Sequence, residues 1–131
     1  MKAVKENDLS ILITDDDTGS RETLREIVEP RGFRTLLASS GEEAVDIVRA
    51  GLVHLLLLDM HMPTMTGLET LQLVRQFKAD LPCVLVTGDA SDSLLLQAIQ
   101  AHVFAVVPKP INKNMVLWTV LRALSRFYGL P

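Results

Sequence analysis

Four short stretches of this sequence carry residue types suited to phosphoryl groups and hard cations. Asp15, Asp16 and Asp17 stand in a row after an apolar run, and Asp59 follows a second such run. Thr87-Gly88-Asp89 follows a third, and Lys109 sits between Pro108 and Pro110 after a fourth. If the fold gathers Asp15, Asp16 and Asp59, they repel: two unit charges ~4 Å apart at an effective dielectric of about 20 cost about 4 kcal/mol. Capping of helix N-termini uses one acid per helix, with Asp17 or Asp16 suited to the helix after Gly19, and leaves a surplus. A hard divalent cation with oxygen ligands would compensate it, and Mg2+ takes one or two carboxylates plus waters and a phosphate. Lys109 supplies a second positive charge. Its flanking prolines restrict the backbone and hold it on a stiff segment. A threonine at a strand end is ordinary, but beside Gly88, which lets a backbone N–H approach a ligand, the Thr87 hydroxyl is placed to bond a phosphoryl oxygen. These groups together meet the needs of phosphoryl transfer, in which a metal and a lysine neutralise the moving group and a carboxylate accepts it.

Elements able to bring them together are legible in the hydrophobic pattern. Leu9–Thr14, Arg34–Ala38, Val53–Leu58, Cys83–Val86 and Val103–Val107 read as five short strands. Between and after them, helices are expected over Thr18–Glu29, over Gly41–Ala50 with Ala44, Ile47 and Val48 inward, and over Gly67–Lys78 with Leu68, Leu71 and Val74 inward. Two more run from a Ser91 cap to about Ala101 and from Asn112 or Asn114 to about Phe127. Strict βα alternation with right-handed crossovers requires a parallel sheet covered on both faces. In such open sheets, sites lie beyond the carboxyl ends of the strands. The acids, Thr87 and Lys109 all stand there.

Composition narrows the function classes. The 131 residues suit one domain, expected over 1–131 with a core of about 9–127 and no output domain within these residues. A net charge of −3 argues against nucleic-acid binding by this domain. The lone Cys83 excludes an internal disulfide or a multi-cysteine zinc site and fits a reducing cytoplasm. No apolar run, that of Leu55–Leu58 included, approaches the length of a membrane span, and Met1–Ser10 lacks the apolar stretch of a signal peptide.

The strings ILITDDD, LLLLDMHMPTMTG, VLVTG and VPKP resemble those of bacterial response-regulator receiver domains, from Leu9 to about Phe127. The most specific part is Asp59-x-x-Met62-Pro63-x-Met65-x-Gly67, followed in order by Thr87 and Lys109-Pro110. The resemblance implies an α/β, flavodoxin-like fold: a doubly wound five-stranded parallel sheet in order 2-1-3-4-5 with five helices. It implies a two-component phosphoacceptor switch, with Asp59 receiving the phosphoryl group from a histidine kinase or histidine phosphotransfer protein. Asp15, Asp16, Asp59 and the backbone carbonyl of His61 would hold Mg2+, with Mn2+ as the substitute. Thr87, Gly88 and Lys109 would bind the phosphoryl group. Such a domain is a signalling element that catalyses its own phosphorylation and dephosphorylation, not a conventional enzyme. The His61 imidazole is expected at the rim, His54 and His102 in structural or surface roles, and Met60, Met62 and Met65 packed under the loop after strand three.

Two other readings compete. A haloacid-dehalogenase-type aspartyl-phosphatase would use Asp15 and Asp17 as its opening Asp-x-Asp, but Gly19 stands where that motif wants Thr or Val, and Asp59 is left unexplained. A pseudo-receiver, an interaction module that is never phosphorylated, is disfavoured by the complete residue set. The last helix holds more apolar residues than one face can bury, among them Met115, Trp118 and Phe127. A homodimer or a downstream protein is therefore expected on helices 4 and 5. One departure concerns the switch. Receiver domains commonly carry Tyr or Phe three residues before the lysine, and here that position is Val106. Thr87 and Val106 would then form a switch without a large aromatic readout, and Phe104 is expected on the same strand face as Val106.

Overall fold

The computed structural model describes residues 3–131; Met1 and Lys2, which open the segment read as lacking a signal peptide, lie outside the described residues. Five parallel strands, β1 (Ser10–Thr14), β2 (Arg34–Ala38), β3 (Leu55–Asp59), β4 (Cys83–Thr87) and β5 (Ala105–Pro108), form one sheet in the order β2-β1-β3-β4-β5. Five helices, α1 (Thr18–Val28), α2 (Gly41–Ala50), α3 (Gly67–Val74), α4 (Asp92–Gln100) and α5 (Lys113–Tyr128), connect and cover it. Short 3-10 turns stand at Glu6–Asp8 and Glu29–Arg31.

Side-chain alternation along the strands builds two cores. Ile11, Ile13, Leu55, Leu57 and Val107 face α1 and α5, where Leu24, Ile27, Val28, Val116, Val120 and Leu124 close the layer. Leu12, Leu56 and Leu58 face the other side, against Ala44, Val45 and Val48 of α2 and Leu71 and Val74 of α3. Leu55 to Leu58 are 0% exposed, as a central strand covered on both faces requires. At about 1.5–3 kcal/mol for each fully buried leucine, β3 contributes heavily to the stability of the core.

Register then aligns the strand ends. Thr14 pairs with Ala38 and with Leu58, Asp59 pairs with Val86, and Thr87 pairs with Pro108. Asp15, Asp59, Thr87 and Lys109 thus leave the sheet along one edge.

Each helix starts on a side chain that accepts from its first turn: Asp17 from Ser20, Ser40 from Glu43, Thr66 from Glu69, Ser91 from Leu94 and Asn112 from Met115. Asn112, not Asn114, is therefore the cap of α5. The structure shifts some sequence-based boundaries. In α2, Val45 is buried and Ile47 only half-buried. α3 ends at Val74 rather than Lys78, because Gln76 and Phe77 tighten onto the carbonyls of Leu73 and Val74 in i→i+3 bonds. β5 starts at Ala105 rather than Val103. The Val103 N–H donates to the Ala98 carbonyl at 3.0 Å and His102, at φ 56°, donates to Ile99, a Schellman closure of α4 that removes Val103 from the ladder.

Phe104 does not take the face expected of it. It lies between that closure and the first residue of β5, with its N–H donating to the Cys83 carbonyl at 2.8 Å, and packs on the α1–α5 side, 6.2 Å from the Phe127 ring, while Val106 packs with Met60, Leu85 and Leu94 on the α4 side. The two do not share a face.

Candidate functional site

Three carboxylates meet at the carboxyl edge of β1 and β3. One oxygen from each of Asp15, Asp16 and Asp59 lies within 4.8 Å of the others. Asp15 is 0% and Asp59 5% exposed, while Asp16 is open to solvent. Lys109 reaches in from the end of β5: its Nζ is 3.2 Å from Asp15 Oδ2 and 3.3 Å from Asp59 Oδ1. A lysine 94 residues along the chain thus bridges both buried acids. It is carried on a segment whose backbone N–H donates to the Thr87 carbonyl at 2.8 Å.

Asp15 is fixed on every side. Its Oδ1 accepts from the Asp17 N–H at 2.9 Å, its own N–H donates to Ala38, and its carbonyl accepts from Arg21 Nη1 at 2.7 Å. Asp17 is spent on capping α1, so the surplus acid in the row is Asp16. Arg21 was not singled out from the sequence. The available signal was a base one turn into the helix that follows the acids.

Burial and the neighbouring Asp15 carboxylate push the Asp59 carboxyl above the ordinary carboxylate range, against the pull of Lys109. Burial also works against the charge on Lys109, but the carboxylates of Asp15 and Asp59 outweigh it and raise its pKa. The pocket is thus under-compensated: one ammonium faces three acids. Oxygen donors only, clustered and short of positive charge, suit a hard divalent cation such as Mg2+.

Gly67 has a steric cause. A Cβ there would fall 2.6 Å from the Asp59 carbonyl oxygen, so only glycine lets the start of α3 close on the loop after β3. Within that loop Met60 and Met62 are buried and Met65 half-buried, as expected of a cluster packed beneath it. His61 is 58% exposed at the rim, with Nε2 4.0 Å from Asp89 Oδ2. His54 is structural: Nδ1 accepts from the Ser10 N–H at 2.9 Å, and Tyr128 donates to its carbonyl.

Thr87 is fully buried at the end of β4, and its hydroxyl is engaged within its own loop. It accepts from the Asp89 N–H at 3.0 Å and donates to the Asp89 carbonyl at 3.2 Å. Gly88 has no positive φ, and its absent Cβ would meet nothing nearer than Lys109 Cβ at 3.9 Å. Neither backbone strain nor crowding demands glycine there in this conformation.

Comparison with known proteins agrees with this arrangement. The family described as "Response regulator receiver domain" matches residues 11–120. The chain is 32% identical over 120 residues to the transcriptional regulatory protein YvrH of Bacillus subtilis, covering 91% of this chain and 50% of that protein. It is 34% identical over 118 residues to the response regulator MprA of Mycobacterium avium, covering 90% and 51%. It spans about half the length of these curated relatives. Among solved structures, a CheY-like response regulator receiver domain protein from Methanospirillum hungatei superposes with a TM-score of 0.85 at 27% identity, covering 90% of this chain and 94% of that one. The non-phosphorylated HemR receiver domain from Leptospira biflexa does so with 0.83 at 27% identity, covering 89% and 94%.

Proposed function

This chain belongs to the family of response regulator receiver domains, the signalling domains of two-component response regulators, and on that premise we propose that it is a phosphoacceptor switch with Asp59 as the acceptor. The observation that carries the reading is the contact of one lysine, Lys109, with two buried carboxylates at the edge where Thr87 also ends its strand. The donor is a histidine kinase or histidine phosphotransfer protein. A carboxylate oxygen of Asp59 forms the bond to phosphorus, the P–N bond to the donor imidazole breaks, and its electron pair leaves with the imidazole. Lys109 then faces the phosphoryl oxygens and balances their charge. The Thr87 hydroxyl leaves the Asp89 carbonyl to donate to one of those oxygens, and the Gly88 N–H to another.

Asp15, Asp16, Asp59 and the main-chain carbonyl of His61 would hold Mg2+, with Mn2+ as the substitute. The bound ion would supply charge neutralisation on the phosphoryl oxygens. Uptake and hydrolysis of the acyl phosphate use the domain's own groups, but the acyl phosphate is a signal and not a product released in turnover. The reading takes 1–131 as a single receiver domain working in the cytoplasm. Among the described residues no helix is long and apolar enough to cross a membrane.

The output surface is the α4–β5–α5 face. Leu96 and Ile99 of α4 are 55% and 70% exposed, and Trp118 of α5 is 61% exposed, with Met115 also exposed on that helix. A homodimer or a downstream protein would cover it. Val106 has no ring to move between solvent and core. The switch is therefore expressed through Gly88–Asp92 and the seating of α4 and α5.

The metal assignment is tested on Asp16. Asp16→Ala should lower Mg2+ affinity about ten-fold or more and leave the metal-free protein at least as stable, since it relieves carboxylate repulsion. Calorimetric titration of both proteins reads the affinity. Equal binding would remove Asp16 from the ligand set.

A further inference from the structure

α4 is lightly seated. It buries only Leu94 and Ala98, whereas α1, α2, α3 and α5 each bury three residues or more. Between α3 and α4 runs a groove of about 790 Å³, lined by Leu68, Leu71, Gln72, Gln97 and Gln100, with Arg75 among its walls. α4 also lacks a basic residue in its last turn, so its carbonyl end has no favourable charge of its own.

That charge comes from elsewhere in the chain. Arg75, the residue that caps α3 just after Val74, donates through Nη1 to the Ala101 carbonyl and through Nη2 to the His102 carbonyl at 2.9 Å. Nη2 also lies 3.4 Å from the Leu81 carbonyl, just before β4. The Nε of Arg75 is buried with no partner. Leaving a buried donor unpaired is costly, so the guanidinium is oriented by the α4 carbonyls and not by its own full satisfaction.

The other end of α4 is tied to the switch threonine. Ser91 caps the helix, and its N–H donates to Asp89 Oδ1 at 3.2 Å. The Asp89 backbone is what holds the Thr87 hydroxyl. One hydrogen-bonded line therefore runs from Thr87 through Asp89 and Ser91, along a rigid helix about 14 Å long, to Arg75.

We propose that Arg75 is a positioning residue that pins the carbonyl end of α4 and thereby holds Thr87 in its loop-engaged conformation, off the phosphoryl site. This rests on the reading of Thr87 as a phosphoryl-binding group. When Thr87 turns toward a phosphoryl oxygen, the Asp89 N–H loses its acceptor and the loop must readjust with the first turn of α4. A helix clamped at its far end resists that movement, and a released one does not. Arg75 thus sets the balance between the two states without touching the acceptor. A ligand that favours the second state binds more tightly when the first is destabilised.

The test measures affinity for beryllium trifluoride, a phosphoryl mimic, at saturating Mg2+ in the wild type, Arg75→Met and Arg75→Lys. The Trp118 fluorescence serves as reporter, with Mg2+ affinity and hydrogen exchange of α4 amides measured alongside. Arg75→Met should bind the mimic about five-fold or more tightly, bind Mg2+ alone as the wild type does, and exchange its α4 amides faster. Arg75→Lys keeps the charge but not the fork, and should fall between. Should Arg75→Met not fold, Arg75→Lys alone decides by the same sign. Faster α4 exchange with unchanged or weaker mimic binding would make Arg75 a helix cap only and overturn the proposal. Absence of mimic binding by the wild type would instead overturn the receiver reading beneath it.

Discussion

Lys109→Met is expected to destabilise the metal-free protein by about 2 kcal/mol and to make its stability strongly dependent on Mg2+. The lysine is the cation in contact with both Asp15 and Asp59. Removing one member of a fully buried ion pair costs roughly 3–5 kcal/mol, because the other charge stays behind unpaired. Asp15 is fully buried, but the lysine side chain is 26% exposed, and solvent reduces the loss. Added Mg2+ should restore more stability to the variant than it adds to the wild type. Chemical denaturation with and without Mg2+ reads both effects. The double variant Lys109→Met/Asp59→Asn should lose less than Lys109→Met alone, since one stranded carboxylate is gone. A variant as stable as the wild type without metal would show that the acids do not depend on this lysine.

Asp59→Asn should raise thermal stability at neutral pH. Burial and Asp15 raise the folded-state pKa of Asp59 above its unfolded value. A carboxyl shifted upward contributes stability below its unfolded pKa, and that contribution is lost as pH rises through the raised folded value. At neutral pH the ionised Asp59 is therefore a cost that asparagine removes. The gain should stay below the ~4 kcal/mol that two charges ~4 Å apart cost at an effective dielectric of about 20, because asparagine also gives up the pull of Lys109. It should shrink as pH falls into the ordinary carboxylate range. Melting curves across that range test the sign; a variant less stable than the wild type at neutral pH would contradict it.

Much of this was legible in the sequence because parallel strands buried on both faces leave continuous apolar runs. β1, β3 and β4 are such runs, and the residues after them are forced to one edge. Asp15, Asp16, Asp59 and Lys109 assembled as expected for that reason. Asp17 was correctly available as a cap. What was illegible depended on backbone hydrogen bonds. The late start of β5 comes from the Schellman closure at His102, where no glycine announces a left-handed residue, and it leaves Phe104 ahead of the regular strand. Arg21 and Arg75 act on carbonyl oxygens, so no complementary acid in the sequence points to them. The capture of the Thr87 hydroxyl by Asp89 is likewise a main-chain contact.

Incubation with a small phosphodonor and Mg2+, followed by peptide mapping by mass spectrometry, tests the phosphoacceptor assignment most directly. One phosphoryl group should appear on the peptide containing Asp59. The adduct should be labile to base and hydroxylamine, depend on Mg2+, and be missing from Asp59→Asn. A phosphoryl group on another residue, or equal uptake by Asp59→Asn, would contradict the assignment. A wild-type protein that takes up none under conditions where it binds Mg2+ would leave it an interaction module and not a switch.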